Sequence, residues 1–202
     1  VTTLQLTHSA AAGGDPHRVV GYGSFGFEYS ASARLSEGDR HFLLNTAMAA
    51  LAEAVTKGGA AGNLVAQGPL SPVLTAHRAT FVTLMQGNKL RGCVGSVVPQ
   101  RPLAGDIFVN AIKAGFQDRR FAPLRTEELT DLTVSISILS HRREIPVQGE
   151  KELIETIEPD RDGLILQDAG KSALFLPSVW SSIPEPLHFV RHLKAKAELP
   201  SD

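Results

Sequence analysis

Ala79-Thr80-Phe81-Val82-Thr83-Leu84-Met85, then Gly87-Asn88, then Lys89-Leu90-Arg91-Gly92-Cys93-Val94-Gly95 is the stretch whose reading decides the fold. The first run alternates in the manner of a strand with one buried face. Gly87-Asn88 is a turn signal, so the run from Lys89 to Val98 returns antiparallel to the first. Pro99 and Pro102 end the returning strand, because proline cannot donate to a ladder. The return carries the only cysteine of 202 residues, set between two glycines.

Upstream of the hairpin, Ser36 with Asp39 three residues on reads as an acidic version of the capping box. A helix is expected from Asp39 to Lys57, stopped by Gly58-Gly59. Its apolar side would be Leu43, Ala47, Ala50, Leu51 and Ala54. Residues 62–72 read as a loop. Before residue 36 the chain is Gly- and Ala-rich, with strand-like alternation over Val19–Phe27. Residues 1–35 are therefore separated from 36–202 as an N-terminal extension. Gly21-Tyr22-Gly23-Ser24-Phe25-Gly26 spells GxGxxG but leads into strand-like sequence, not the helix a phosphate loop needs.

Downstream, Pro102 can open a helix running to about Gln117, with Ile107, Ala111 and Ala114 on its buried stripe. Leu132–Leu139 is the cleanest alternation in the chain, its large residues from Leu132 to Ile138 falling on even numbers. Gly163–Gln167 and Ser172–Leu176 form a second hairpin around Asp168-Ala169-Gly170-Lys171, and Pro186 to about Lys196 is a closing helix. Hairpins with occasional helices, and no regular strand–helix alternation, predict an α+β fold. Its sheet is mainly antiparallel with flanking helices.

Lys and Arg (20) nearly cancel Asp and Glu (21), so no broad field draws the chain to nucleic acid or an anionic membrane. One cysteine excludes an internal disulfide and a cysteine zinc knuckle, and it fits a reducing cytoplasm. No run approaches the ~18 apolar residues of a membrane helix, and no signal peptide is visible. A start at Val1 rather than Met reads as a processed or trimmed product.

Chemistry has few places to reside. Cys93 has Arg91 two residues away, on the same face of a regular strand, where a cation would favour the thiolate. Gly92 and Gly95 would let a substrate or another backbone approach closely. The competing reading makes Cys93 a buried packing residue, since free cysteine is among the most buried types. Asp118 and Arg120, just past the second helix, can bind a carboxylate or phosphate through a guanidinium fork, or simply end the helix. His188 and His192 share a helix face at i, i+4 but lack the glutamate of a metalloprotease motif. They read as exposed histidines, and no metal site is expected. His141-Arg142-Arg143 is too short a basic run to imply nucleic acid. Trp180 reads as a core anchor.

Taken together these segments resemble the AMMECR domain family over roughly residues 36–200. The resemblance rests on Phe81–Leu84, Leu90-Arg91-Gly92-Cys93-Val94-Gly95-Ser96, Pro102-Leu103 with Asn110-Ala111, and Asp118 through Leu124. It continues through Val134–Ser140, Asp162–Leu166 and Leu176-Pro177-Ser178-Val179-Trp180. The chain departs from the family's pattern in having Arg119 for a usual proline, Ser178 for a usual glutamine and Lys194 where cysteine is common. The last change removes a second thiol. The family's further C-terminal segment is absent after Asp202.

A second resemblance lies in Gly14–Tyr22, which is similar to the closing strand of Memo-like domains, with Ala11 where that tail usually has aspartate. The resemblances imply a two-lobed α+β domain with a Memo-like domain (fused or separate) and a radical SAM protein as partners, as in the AmmeMemoRadiSam grouping. They name no cofactor and no settled reaction. Two functions follow as expectations. One is a catalytic or substrate-handling domain with Cys93 as nucleophile or redox centre, Arg91 activating it, and Asp118 and Arg120 orienting an anionic group. The other is an interaction module in which Cys93 is a structural core residue.

Overall fold

The computed structural model describes residues 22–23, 35–60, 62, 69–139, 146–168 and 170–200. The sequence readings on 14–21, on most of 1–35 and on His141-Arg142-Arg143 lie outside them. Six strands and five α-helices are described: β1 (Tyr22–Gly23), α1 (Glu37–Thr56), α2 (Pro72–Thr75), β2 (Thr80–Gln86), β3 (Lys89–Gly95), α3 (Leu103–Phe116), β4 (Leu132–Ile138), α4 (Glu150–Thr156), β5 (Leu164–Asp168), β6 (Lys171–Phe175) and α5 (Pro186–Lys196). The fold is α+β with two antiparallel three-stranded sheets, ordered β3-β2-β4 and β1-β5-β6. The chain divides into two compact units: β2–β4 with α1–α3, and β1, β5 and β6 with α4 and α5.

In the first unit, α1 begins where the capping box was expected. Asp39 N–H donates to Ser36 Oγ at 3.0 Å, and Ser36 N–H donates back to Asp39 Oδ2 at 2.9 Å. These bonds satisfy two of the backbone donors a helix start leaves open. Gly58 and Gly59 follow its end with φ of 63° and 93°, which only glycine adopts cheaply. Leu43, Ala47, Ala50, Leu51 and Ala54 are all buried, and the first four meet α3 through Ile107, Ala111 and Ala114 in one core. The even residues of β2, Val82 and Leu84, enter that core, with the even residues of β4 packed against it. Alternation therefore sends the odd residues of both strands to the opposite face.

Two polar residues of α3 also face inward. Thr80 donates both its N–H and its hydroxyl to Asp106 Oδ2, at 3.0 and 2.8 Å. Asn110 Nδ2 donates to the Thr80 carbonyl at 3.0 Å, and so does Ser96 N–H at 2.9 Å. This satisfied network fixes the start of β2 against the end of β3.

The second unit is anchored by Trp180, which stacks on Phe189 with centroids 3.7 Å apart and donates from Nε1 to the Asp162 carbonyl at 2.6 Å. That is the core role read from the sequence. Lys194 is buried and its Nζ donates to Glu150, which ties α5 to α4. The helix α4 and the 3-10 turns Thr126–Asp131 and Pro177–Ser181 had no sequence signal long enough to read. Of residues 62–72, read as a loop, 63–68 lie outside the described residues, and Pro72 opens the single turn of α2. No helix among the described residues is long and apolar enough to cross a membrane.

Candidate functional site

The register of β2 and β3 changes once, and the change decides where the thiol points. Gln86 pairs with Lys89 and Met85 with Leu90, but Leu84 then pairs with Gly92 and Thr83 with Cys93. Arg91 is the extra residue of a β-bulge. Continued without it, the register set by the turn would place Cys93 opposite Val82, which is fully buried. A one-residue slip moves every following side chain to the other face. The bulge therefore takes Cys93 off the core face and puts Gly92 and Val94 on it.

Cys93 is half-buried, and its sulfur lies 3.3 Å from Thr83 Oγ1 in a shared hydrogen bond. Thr83 pairs on its other side with Ser135 of β4, so Cys93, Thr83 and Ser135 form one row across the outer face. The next row is Gly95, Phe81 and Ser137. Thr83 and Ser135 were not singled out from sequence. The signal was present in the odd positions of both alternating runs, but using it needed the bulge.

The structure brings Asp118 and Arg120 to Cys93. Asp118 Oδ2 accepts the Cys93 N–H at 2.9 Å, and Arg120 Nη2 donates to the Cys93 carbonyl at 3.4 Å. Arg120 also donates to Asp118 through Nε at 2.9 Å, Nη2 at 2.7 Å and its own N–H at 3.2 Å. Asp118 is buried, while the Arg120 side chain is 57% exposed and lies over the Phe121 ring at 5.4 Å. The Arg120 guanidinium, aided by the Cys93 N–H, holds the Asp118 carboxyl far below the usual carboxylate range, although burial opposes this.

Arg91 goes elsewhere. Its Nε and Nη2 donate to the two carboxylate oxygens of Glu128 at 2.7 and 3.0 Å, and Nη2 also reaches the Pro123 carbonyl at 3.3 Å. Both partners are largely buried, and the guanidinium holds the Glu128 carboxyl below its ordinary range. The expectation that Arg91 activates Cys93 assumed a regular strand. The bulge breaks that spacing, and Glu128 neutralises the charge.

Gly92 and Gly95 also have a plainer use than substrate approach. A Cβ at Gly92 would stand 2.2 Å from the Ala114 carbonyl oxygen, so its bareness lets β3 lie against α3. A Cβ at Gly95 would meet Phe81 Cγ at 2.3 Å and the Thr80 carbonyl at 2.4 Å. In both places the chain's own atoms fill the side-chain position. A cavity of about 710 Å³ lies at the turn, with Gln86, Gly87, Asn88, Lys89, Leu90 and Arg91 as its described lining; Cys93 is not among them. His188 sits beside Glu185, and among the described residues no three of His, Cys, Asp or Glu gather as metal ligands.

A two-unit α+β protein with a bulged hairpin that carries a Leu-Arg-Gly-Cys-Val-Gly run is thus the class defined by fold and site. The chain belongs to the AMMECR1 family, whose sequence profile matches residues 44–202. It is 34% identical over 149 residues to protein MK0488 of Methanopyrus kandleri, covering 70% of each chain. To protein MJ0810 of Methanocaldococcus jannaschii it is 34% identical over 158 residues, covering 75% of this chain and 77% of that one. The crystal structure of the uncharacterized protein PH0010 from Pyrococcus horikoshii superposes with a TM-score of 0.71 at 31% identity, covering 79% of this chain and 80% of that one.

Proposed function

We propose that this AMMECR1-family protein is a substrate-handling domain whose chemical centre is the Cys93 thiol. The observation that carries the reading is the bulge at Arg91, which presents the sulfur on the outer sheet face instead of in the core. A cysteine needed only for packing gains nothing from that arrangement. The Thr83 hydroxyl steadies the sulfur, and Ser135 extends a hydrogen-bonding strip beside it. Arg120, exposed beyond its bonds to Asp118, offers N–H donors to an anionic group of a small substrate. A Memo-like domain and a radical SAM protein are proposed as partners on the resemblance of residues 14–22 and of the AMMECR segments, and the cytoplasm as the compartment on the lone thiol.

Alkylation of the native protein tests the reading, because no second thiol contributes. Modification of Cys93 by iodoacetamide in the folded state, at a rate within about tenfold of the unfolded chain, supports it. Protection until unfolding overturns it and leaves the interaction module, whose partners co-purification with Memo-like and radical SAM proteins would reveal.

A further inference from the structure

We infer that Asp118 and Arg120 are positioning residues, which hold Cys93 by taking the place of a missing neighbouring strand. Among the described residues β3 is an edge strand of its sheet. The edge of such a strand presents unpaired N–H and C=O groups. At Cys93 both are engaged by one side-chain pair: the N–H by Asp118 Oδ2 and the C=O by Arg120 Nη2. In an antiparallel pair, residues whose N–H and C=O point away from the partner strand form the non-hydrogen-bonded type, with side chains close together. Thr83 and Cys93 have that arrangement, and their side chains meet at 3.3 Å. Asp118 is thereby linked to the thiol through the backbone: it fixes the peptide that aims the sulfur at Thr83.

The pair is asymmetric in a useful way. Asp118 is enclosed and bonded to Arg120 three times, so its own oxygens are spent within the protein. It is not a group that meets substrate. The charges around the Cys93 peptide are those of Asp118 and Arg120, with the Arg91–Glu128 pair further along β3 already neutralised. On β2 and β4 the residues in register with Cys93 are the uncharged Thr83 and Ser135.

This inference rests on the reading of Cys93 as a presented thiol, and its test separates the two. Three full-length variants, Asp118→Asn, Asp118→Ala and Arg120→Met, are followed by amide hydrogen exchange at Cys93 and by the pH dependence of Cys93 alkylation. Asparagine keeps an acceptor for the Cys93 N–H, so Asp118→Asn retains amide protection while Asp118→Ala loses it by about tenfold or more. The alkylation midpoint moves down in Asp118→Asn, where Arg120 is left uncompensated, and up in Arg120→Met, where Asp118 is. Each shift is about half a pH unit, or about threefold in rate at a fixed pH.

Equal exchange in Asp118→Asn and Asp118→Ala, or midpoints that move together, would overturn the inference. A wild-type thiol that resists alkylation while Asp118→Ala still loses Cys93 amide protection would instead strike only the proposed function. If Asp118→Ala does not fold, the opposed midpoints of the other two variants decide alone.

Discussion

The two hairpins among the described residues differ along their strands. In β5–β6 the register runs without interruption from Leu164 opposite Phe175 to Asp168 opposite Lys171. In β2–β3 it slips by one residue at Arg91. Both turns carry a glycine of positive φ, Gly87 at 57° and Gly170 at 82°. In the regular hairpin Leu164, Ile165 and Leu166 are all buried and Gln167 stays out. The bulged one lifts a thiol out of a core position. A bulge costs ladder hydrogen bonds, and bulges recur next to active sites where they re-aim a side chain. The proposed role of the Cys93 thiol rests on this difference.

The comparison breaks most severely at Arg91. Deleting it should remove the bulge while keeping Gly92 opposite Leu84 and Cys93 opposite Thr83, and it leaves Glu128 buried without its main partner. We expect a loss of about 3–5 kcal/mol in denaturant unfolding, with native alkylation at Cys93 retained in the molecules that fold.

Glycine substitutions sharpen the contrast. Gly92→Ala drives a Cβ to within 2.2 Å of a backbone oxygen of α3, and we expect it to cost about 2–3 kcal/mol. At the turns nothing stands within 4 Å of either added Cβ. Gly87→Ala and Gly170→Ala should each cost only the left-handed backbone penalty of about 1–2 kcal/mol. Equal turn costs beside one large strand cost would locate the special packing in β3, and thermal melts of the three variants check it.

Acid supplies a third contrast. Asp118 has its folded pKa below its unfolded one, so the stability it contributes is present above the ordinary Asp range and lost as pH falls through and below about 4. Asp118→Asn should therefore flatten the fall in stability below about pH 4 in pH-dependent urea unfolding. A curve as steep as that of the wild type would mean that the Asp118–Arg120 pair adds little to folding.

The smallest effect is expected at Thr83. Thr83→Val removes the hydroxyl beside the sulfur and should alter the alkylation rate only about two- to threefold, with little change in melting.

Much of the fold was legible because its signals are local. The capping box of Ser36, the apolar spacing of α1, both turns, and the boundaries of α5 all follow from residues near one another in sequence. The AMMECR resemblance likewise rested on ordered segments. What was hidden depends on contacts between distant residues. Arg91 looked aligned with Cys93 because a regular strand repeats every two residues, and nothing local announces that Glu128, 37 positions away, takes its guanidinium. Gly92 and Gly95 looked like openings because their neighbours, Ala114 and Phe81, belong to other elements. The approach of Asp118 to Cys93 depends on how the chain leaves α3, which Phe121 N–H to Asp118 O and Leu124 N–H to Gly115 O determine. Helices as short as α4 lack the length for a periodic signal.

The outward placement of Cys93 is most directly tested by cross-strand Hα–Hα contacts measured by NMR, since non-hydrogen-bonded antiparallel pairs bring their α carbons to about 4.5 Å. We expect a strong Hα–Hα cross-peak between Thr83 and Cys93 and a continuous set through Phe81 and Gly95. A Thr83–Gly92 cross-peak in its place would mean an unbulged hairpin with the thiol in the core, and it would contradict the central claim.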